Sequence, residues 1–209
     1  MVRSSADAAR WAREGTELFL AAAGGLTEAD YEAPSALPGW TRKHLVAHVA
    51  ANADALGNLV RWAATGEVTP MYASPEERAA GIERGPRMTG ADLTDWLNGS
   101  AAALGAAMDK LTESQWQILV VTAQGRTVPA TEVPWMRSRE VFVHTVDLDR
   151  GTAFADLPGD FVEALIADIA AKRRLAAADL PDGPPAEVAA WLAGRPHALA
   201  GAPRLGPWL

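Results

Sequence analysis

Apolar residues recur every three and four positions along most of this chain, in a sequence whose commonest residue is alanine. That spacing puts one apolar stripe on each helix and confines the fold to helices packed on one another. The first helix is expected over residues 5–23, with Ala8, Trp11, Leu18 and Ala22 along one side and Gly24-Gly25 ending it. LTEADYEAPSALPGW reads as a connector. Thr41 caps a second helix whose stripe is Leu45, Val49, Leu56, Leu59 and Ala63 and which Gly66 stops. Residues 67–88 wrap over the surface with a short helix after Ser74, and Thr89 with Asp92 opens a third long helix to about residue 111. Its inward positions are Leu93, Trp96, Leu97, Leu104 and Met108.

ILVVTAQGRTVPATEV carries β-branched residues around Gln124-Gly125 and reads as a turn with a short hairpin. A fourth helix follows Pro134 and ends near Gly151, with Met136, Glu140, Val143, His144 and Asp147 on neighbouring positions. A fifth spans residues 158–178, with Phe161, Leu165, Ile169 and Ala176 at helical spacing, and AEVAAWLAGR forms a last short helix. The fold class is mainly α. The expected division is a helical bundle over residues 1–155 and a reduced C-terminal region over residues 156–209.

Composition narrows the chemistry. The chain has no cysteine, which excludes disulfides, thiolate metal ligands and a cysteine nucleophile, so any thiol must come from outside. A formal charge of −7 argues against a nucleic-acid partner. No apolar run approaches the ~20 residues of a spanning helix, and the N-terminal MVRSSADAARWAREG has no secretory pattern, so a cytoplasmic monomer without membrane contact is expected.

Residues four apart on a helix share a face, so Glu140 and His144 can reach one ion together. His48, beside the apolar stripe of the second helix, is placed to add a third ligand. Two histidines and a carboxylate with a fourth position open is the pattern of catalytic zinc. By spacing alone a solvated surface pair is the commoner outcome. His44 and His48 also stand four apart, although His44 lies where it can serve the helix end, and Asp147 reads more readily as a surface acid than as a partner of an imidazole.

Four stretches carry a family resemblance: LPGWTRKHLVAHVAANADALGNLVRWAATGEVTPMYASPEER, VTAQGRTVPA, WMRSREVFVHTVDL and WLAGR. Together they resemble the mycothiol-dependent maleylpyruvate isomerases of the DinB-like metalloprotein superfamily. The resemblance implies a DinB-like up-and-down four-helix bundle with a short C-terminal appendage. It implies zinc, or another divalent metal, on His48, Glu140 and His144, and an essential arginine at Arg195. The implied substrate is the small molecule maleylpyruvate, converted from cis to trans as fumarylpyruvate. The implied cofactor is mycothiol, whose zinc-bound thiolate adds to the double bond and later leaves. Arg195 would then grip a substrate carboxylate. The family's C-terminal domain is a small α/β unit, and PDGPPAEVAAWLAG leaves little room for its strands here. Arg126, Arg137 and Arg139 are further cations an anion can meet, each more often simply solvated, and the sequence does not rank them. Two other functions use the same residues: a zinc-dependent mycothiol S-transferase acting on another electrophile, and a non-catalytic metal-binding module.

Overall fold

The computed structural model describes residues 3–206 and Trp208. The chain divides into two compact units, Ser5–Arg150 and Gly151–Leu209, the second also taking residues 1–4.

In the first unit α1 (Ser5–Gly24) buries Ala8, Trp11, Ala12, Gly15, Phe19 and Ala23. Its inward face therefore passes through Phe19, while Leu18 and Ala22 are only half-buried. The expected connector contains a helix, α2 (Glu28–Glu32), which a capping box starts: Asp30 N–H donates to Thr27 Oγ1 at 3.2 Å and Thr27 N–H to Asp30 Oδ2 at 3.0 Å. Lys43, almost fully buried on the next helix, binds Glu28 and Glu32 at 2.5 and 2.6 Å and so fastens α2.

Next, α3 (Arg42–Thr65) begins at Thr41 and stops at Gly66, whose φ of 75° turns the chain out of the helix. All five residues of its expected stripe are buried. Ser74 caps α4 (Pro75–Arg84) and Thr89 caps α5 (Gly90–Met108). On α5, Leu93, Leu97 and Leu104 are buried, but Trp96 and Met108 are only partly so. The Trp96 indole N–H donates to Asp54 at 2.8 Å, and that polar partner holds the ring near the surface.

A four-residue α6 (Glu113–Trp116) precedes the hairpin. β1 (Leu119–Val121) pairs antiparallel with β2 (Thr127–Pro129), Val120 opposite Val128, with only these central residues turned into the core. Then α7 (Val133–Asp147) completes the bundle. Around it α1 packs on α7 and α5, and α3 on α5 and α7, which leaves α1 and α3 diagonally opposite. α1 and α7 approach closely at Gly15, where an added Cβ would lie 2.6 Å from a Val141 methyl. Two apolar clusters fill the interior, one around Phe19, Leu45, Val49 and Leu97, the other around Leu56, Leu59, Leu104 and Val133. Each fully buried leucine or phenylalanine contributes ~1.5–3 kcal/mol of transfer free energy.

In the second unit α8 (Gly159–Arg173) buries Phe161, Leu165 and Ile169 and packs on α9 (Pro185–Leu192). Rather than running to residue 178, α8 stops at Arg174, which adopts a left-handed φ of 58°, and Ala176 is exposed. Among the described residues this unit contains no strand. Across both units, no helix of the described residues is long and apolar enough to cross a membrane.

Candidate metal centre

The pairings between α3 and α7 build the site. Arg42, the first residue of α3, donates from Nε to Leu148 O at 2.6 Å and from Nη2 to Asp149 O at 3.0 Å, so it satisfies carbonyls at the C-terminal end of α7. Ala36 N–H donates to Asp147 O at 2.9 Å. These bonds fix the last turn of α7 against the start of α3.

With the helices so placed, His48 from α3 meets Glu140 and His144 from α7. Glu140 Oε2 lies 3.2 Å from His48 Nε2 and 3.3 Å from His144 Nε2. One donor atom of each residue lies within 4.8 Å of the others, and among the described residues this is the one such group of three. The two imidazoles stand edge to face, with ring centroids 5.0 Å apart. Their side chains differ in access: His144 is 1% exposed, His48 9% and Glu140 15%.

The donors fit a divalent ion. His144 Nδ1–H donates to Asp147 Oδ2 at 2.8 Å, which leaves the Nε2 lone pair facing Glu140. That Nε2 is fully buried and has no hydrogen-bond partner, an arrangement a metal ion would satisfy. Two neutral imidazole nitrogens and one carboxylate oxygen, with one position left over, match a catalytic rather than a structural zinc set.

Electrostatics point the same way. Burial works to raise the Glu140 pKa, but the His144 and His48 imidazoles beside it outweigh that, so the carboxyl stays well below its usual range. Burial works to lower the His144 pKa, and Asp147 and Glu140 overcome it and raise the value.

The other sequence candidates sort cleanly. His44 Nδ1 accepts from Thr41 N–H at 3.2 Å and lies 2.8 Å from its hydroxyl, so it completes the capping box of α3 and stands outside the three-donor group. Asp147 corrects the expectation of a surface acid: it is fully buried, because the imidazole it holds is buried. Arg126 is exposed, and Arg139 is half-buried with its guanidinium 5.8 Å from the Trp135 ring centre. Arg137 is not solvated at all, at 1% exposure. Arg195 belongs to the second unit. The turn after α9 has Gly194 at φ 69°, with Gly194 N–H on Trp191 O and Arg195 N–H on Ala190 O, both at 2.9 Å. The Arg195 side chain is 7% exposed and donates from Nη1 to Ala193 O at 2.7 Å.

Two residues near the site escaped the sequence reading. Trp40 stands edge-on to His48 with ring centroids 5.5 Å apart, and its only signal is an aromatic residue just before a helix cap. Asn52, buried one turn after His48, left no signal beyond its position in an apolar stripe.

A family model described as "Mycothiol maleylpyruvate isomerase N-terminal domain" matches residues 12–149. No sequence among the curated proteins matches. Of solved structures, the crystal structure of the mycothiol-dependent maleylpyruvate isomerase is 34% identical, with a TM-score of 0.90 over 99% of this chain and 98% of that one. A histidine-to-alanine mutant of that enzyme matches with the same values. The C-terminal region of this chain thus has its counterpart there. With His48, Glu140 and His144 inside the matched segment, this chain belongs to the mycothiol maleylpyruvate isomerase N-terminal domain family.

Proposed function

We propose that this chain is a mycothiol-dependent maleylpyruvate isomerase that uses zinc, or another divalent metal, on His48, Glu140 and His144. The observation that carries it is the convergence of those three donors within 4.8 Å in a chain 34% identical to such an enzyme over nearly its whole length. A carbon–carbon double bond turns only after its π bond is broken, and this chain has no cysteine to break it by addition. When bound, metal and mycothiol together supply the missing nucleophile, a thiol held as thiolate that adds to the alkene and is released again.

The chain's own residues set the conditions for that chemistry. Glu140 brings one negative charge and the histidines none, so a divalent ion keeps net positive charge with which to hold an anionic sulfur. Asp147 holds the His144 tautomer with Nε2 bare and fixes the ring. Trp40 covers one edge of His48 with apolar surface. Arg195 is the residue we assign to a substrate carboxylate, because a planar guanidinium grips a carboxylate at two points. The enzyme works as a cytoplasmic monomer.

Incubation of the zinc-loaded chain with maleylpyruvate and mycothiol tests the proposal. Accumulation of the trans product with the thiol recovered supports it. A stable thiol adduct identifies an S-transferase instead, and a coordination sphere closed to added thiol identifies a non-catalytic metal module. Arg195→Ala should keep full metal content and lose turnover; normal isomerisation by that variant removes the arginine from the mechanism.

A further inference from the structure

Arg137 joins α7 to α3 on the side of the metal centre opposite Arg42. On α7 it lies three residues before Glu140, on the face that carries Glu140 and His144. Its Nη1 donates to Val49 O at 2.9 Å and to Asn52 Oδ1 at 3.1 Å, in the helical turn of α3 that directly follows His48. Arg42 makes the matching connection beyond His144, to Leu148 O and Asp149 O. The ligands on the two antiparallel helices are thus bracketed by one guanidinium on each side.

Stability alone does not account for Arg137. Its side chain is buried, yet Nε and Nη2 have no hydrogen-bond partner. A buried ion with part of its donors unmet is a poor stabiliser compared with an apolar side chain of the same volume. Burial lowers its pKa to about 10, and the charges of Glu140 and Asp54 oppose the shift, so it stays cationic at neutral pH. A cation beside a metal site also repels the metal. What the residue offers in return is geometry: a rigid bridge from the Glu140 turn to the His48 turn.

We propose that Arg137 is a positioning residue for the metal centre, setting the spacing of α3 and α7 so that His48 meets Glu140 and His144 at one ion. The inference rests on the metal-binding reading above and concerns affinity for the ion, not turnover. Removing the bridge lets the helices that share the ligands move apart, and residues supporting ligands in this way are worth ~10–100-fold in metal affinity.

The test is zinc affinity by chelator competition, without substrate, for the full chain and for Arg137→Lys, Arg137→Met and Asn52→Ala, beside thermal melting of each metal-free protein. Arg137→Lys keeps the cation and one donor group, and about tenfold weaker binding is expected. Arg137→Met loses both bonds, and binding should weaken further, by up to ~100-fold, even though loss of the cation by itself would tighten it. Asn52→Ala removes one acceptor and keeps the charge, so it reads the bridge even if Arg137→Met does not fold; about a threefold to tenfold loss is expected. Unchanged affinity in Arg137→Lys and Asn52→Ala, with only the melting temperature lowered, overturns the proposal. Tighter binding in Arg137→Met also overturns it, since charge alone would then be what the residue contributes. If the unaltered chain binds no zinc, the metal reading itself falls and takes the bridge with it; equal binding by parent and variants removes only the bridge.

Discussion

One nitrogen of the His144 imidazole is bonded to a buried carboxylate and the other has no partner. That asymmetry supports the proposed role, because an Nδ1–H bonded to Asp147 leaves the Nε2 lone pair available to a cation. His144→Ala should therefore leave the chain without bound metal, as checked by elemental analysis after dialysis, since two ligands rarely hold zinc; full metal content in that variant contradicts the assignment. Asp147→Asn keeps the size and loses the charge, and should weaken zinc by ~10–100-fold in the same chelator assay. The pH dependence of the metal-free protein follows from the shifts of the two buried groups. His144 titrates above its ordinary 6.5 when folded, so its contribution is complete below that value and is lost as pH rises through the folded pKa. Glu140 titrates well below its ordinary 4.5, so its contribution is present above that value and is lost as pH falls toward the folded pKa. Metal-free protein should then gain most from this pair between the two ordinary values. Bound metal should release the His144 proton and shift the optimum upward, which thermal melts across pH will show.

Among the elements, what was legible followed from local chemistry. Thr41, Ser74 and Thr89 marked real helix starts, and Gly66 a real stop, because caps and left-handed turns are read by the nearest few residues. The end of α8 was hidden because Arg174 takes the left-handed position that glycine usually marks. Arg174→Gly should remove that strain and stabilise the chain by ~1 kcal/mol in a denaturant titration. α2 was also hidden, since five residues are too few for a periodic pattern, and Lys43 with its two acidic partners, rather than propensity, holds it. The turning of α1 toward Phe19 reflects a contact distant in sequence, the close approach at Gly15. Gly15→Ala should push Val141 and Phe142 on α7 and cost ~1–3 kcal/mol. Because α7 carries two of the three proposed ligands, that variant should also bind zinc less tightly.

For the molecule as a whole, the helix-by-helix pattern announced a mainly α fold, whereas spacing alone left the metal site a minority outcome. Glu140 and His144 four apart are common on solvated helices, and nothing local tells that α3 brings His48 to the same point or that Asp147 is buried behind it. Both depend on which helices are neighbours: the resemblance of longer stretches pointed to His48, while the burial of Asp147 was legible only in the structure. The absence of cysteine had a consequence at this scale too, since a chain without its own thiol must take one from solution to perform addition and elimination. The central claim is therefore a joint requirement for a resident metal and an external thiol. Its most direct test is the rate at which the zinc-loaded chain converts maleylpyruvate to its trans isomer with and without mycothiol. The account predicts turnover only when mycothiol is present, with the thiol recovered unchanged. Conversion at the same rate without mycothiol, or none with zinc and mycothiol both supplied, would contradict it.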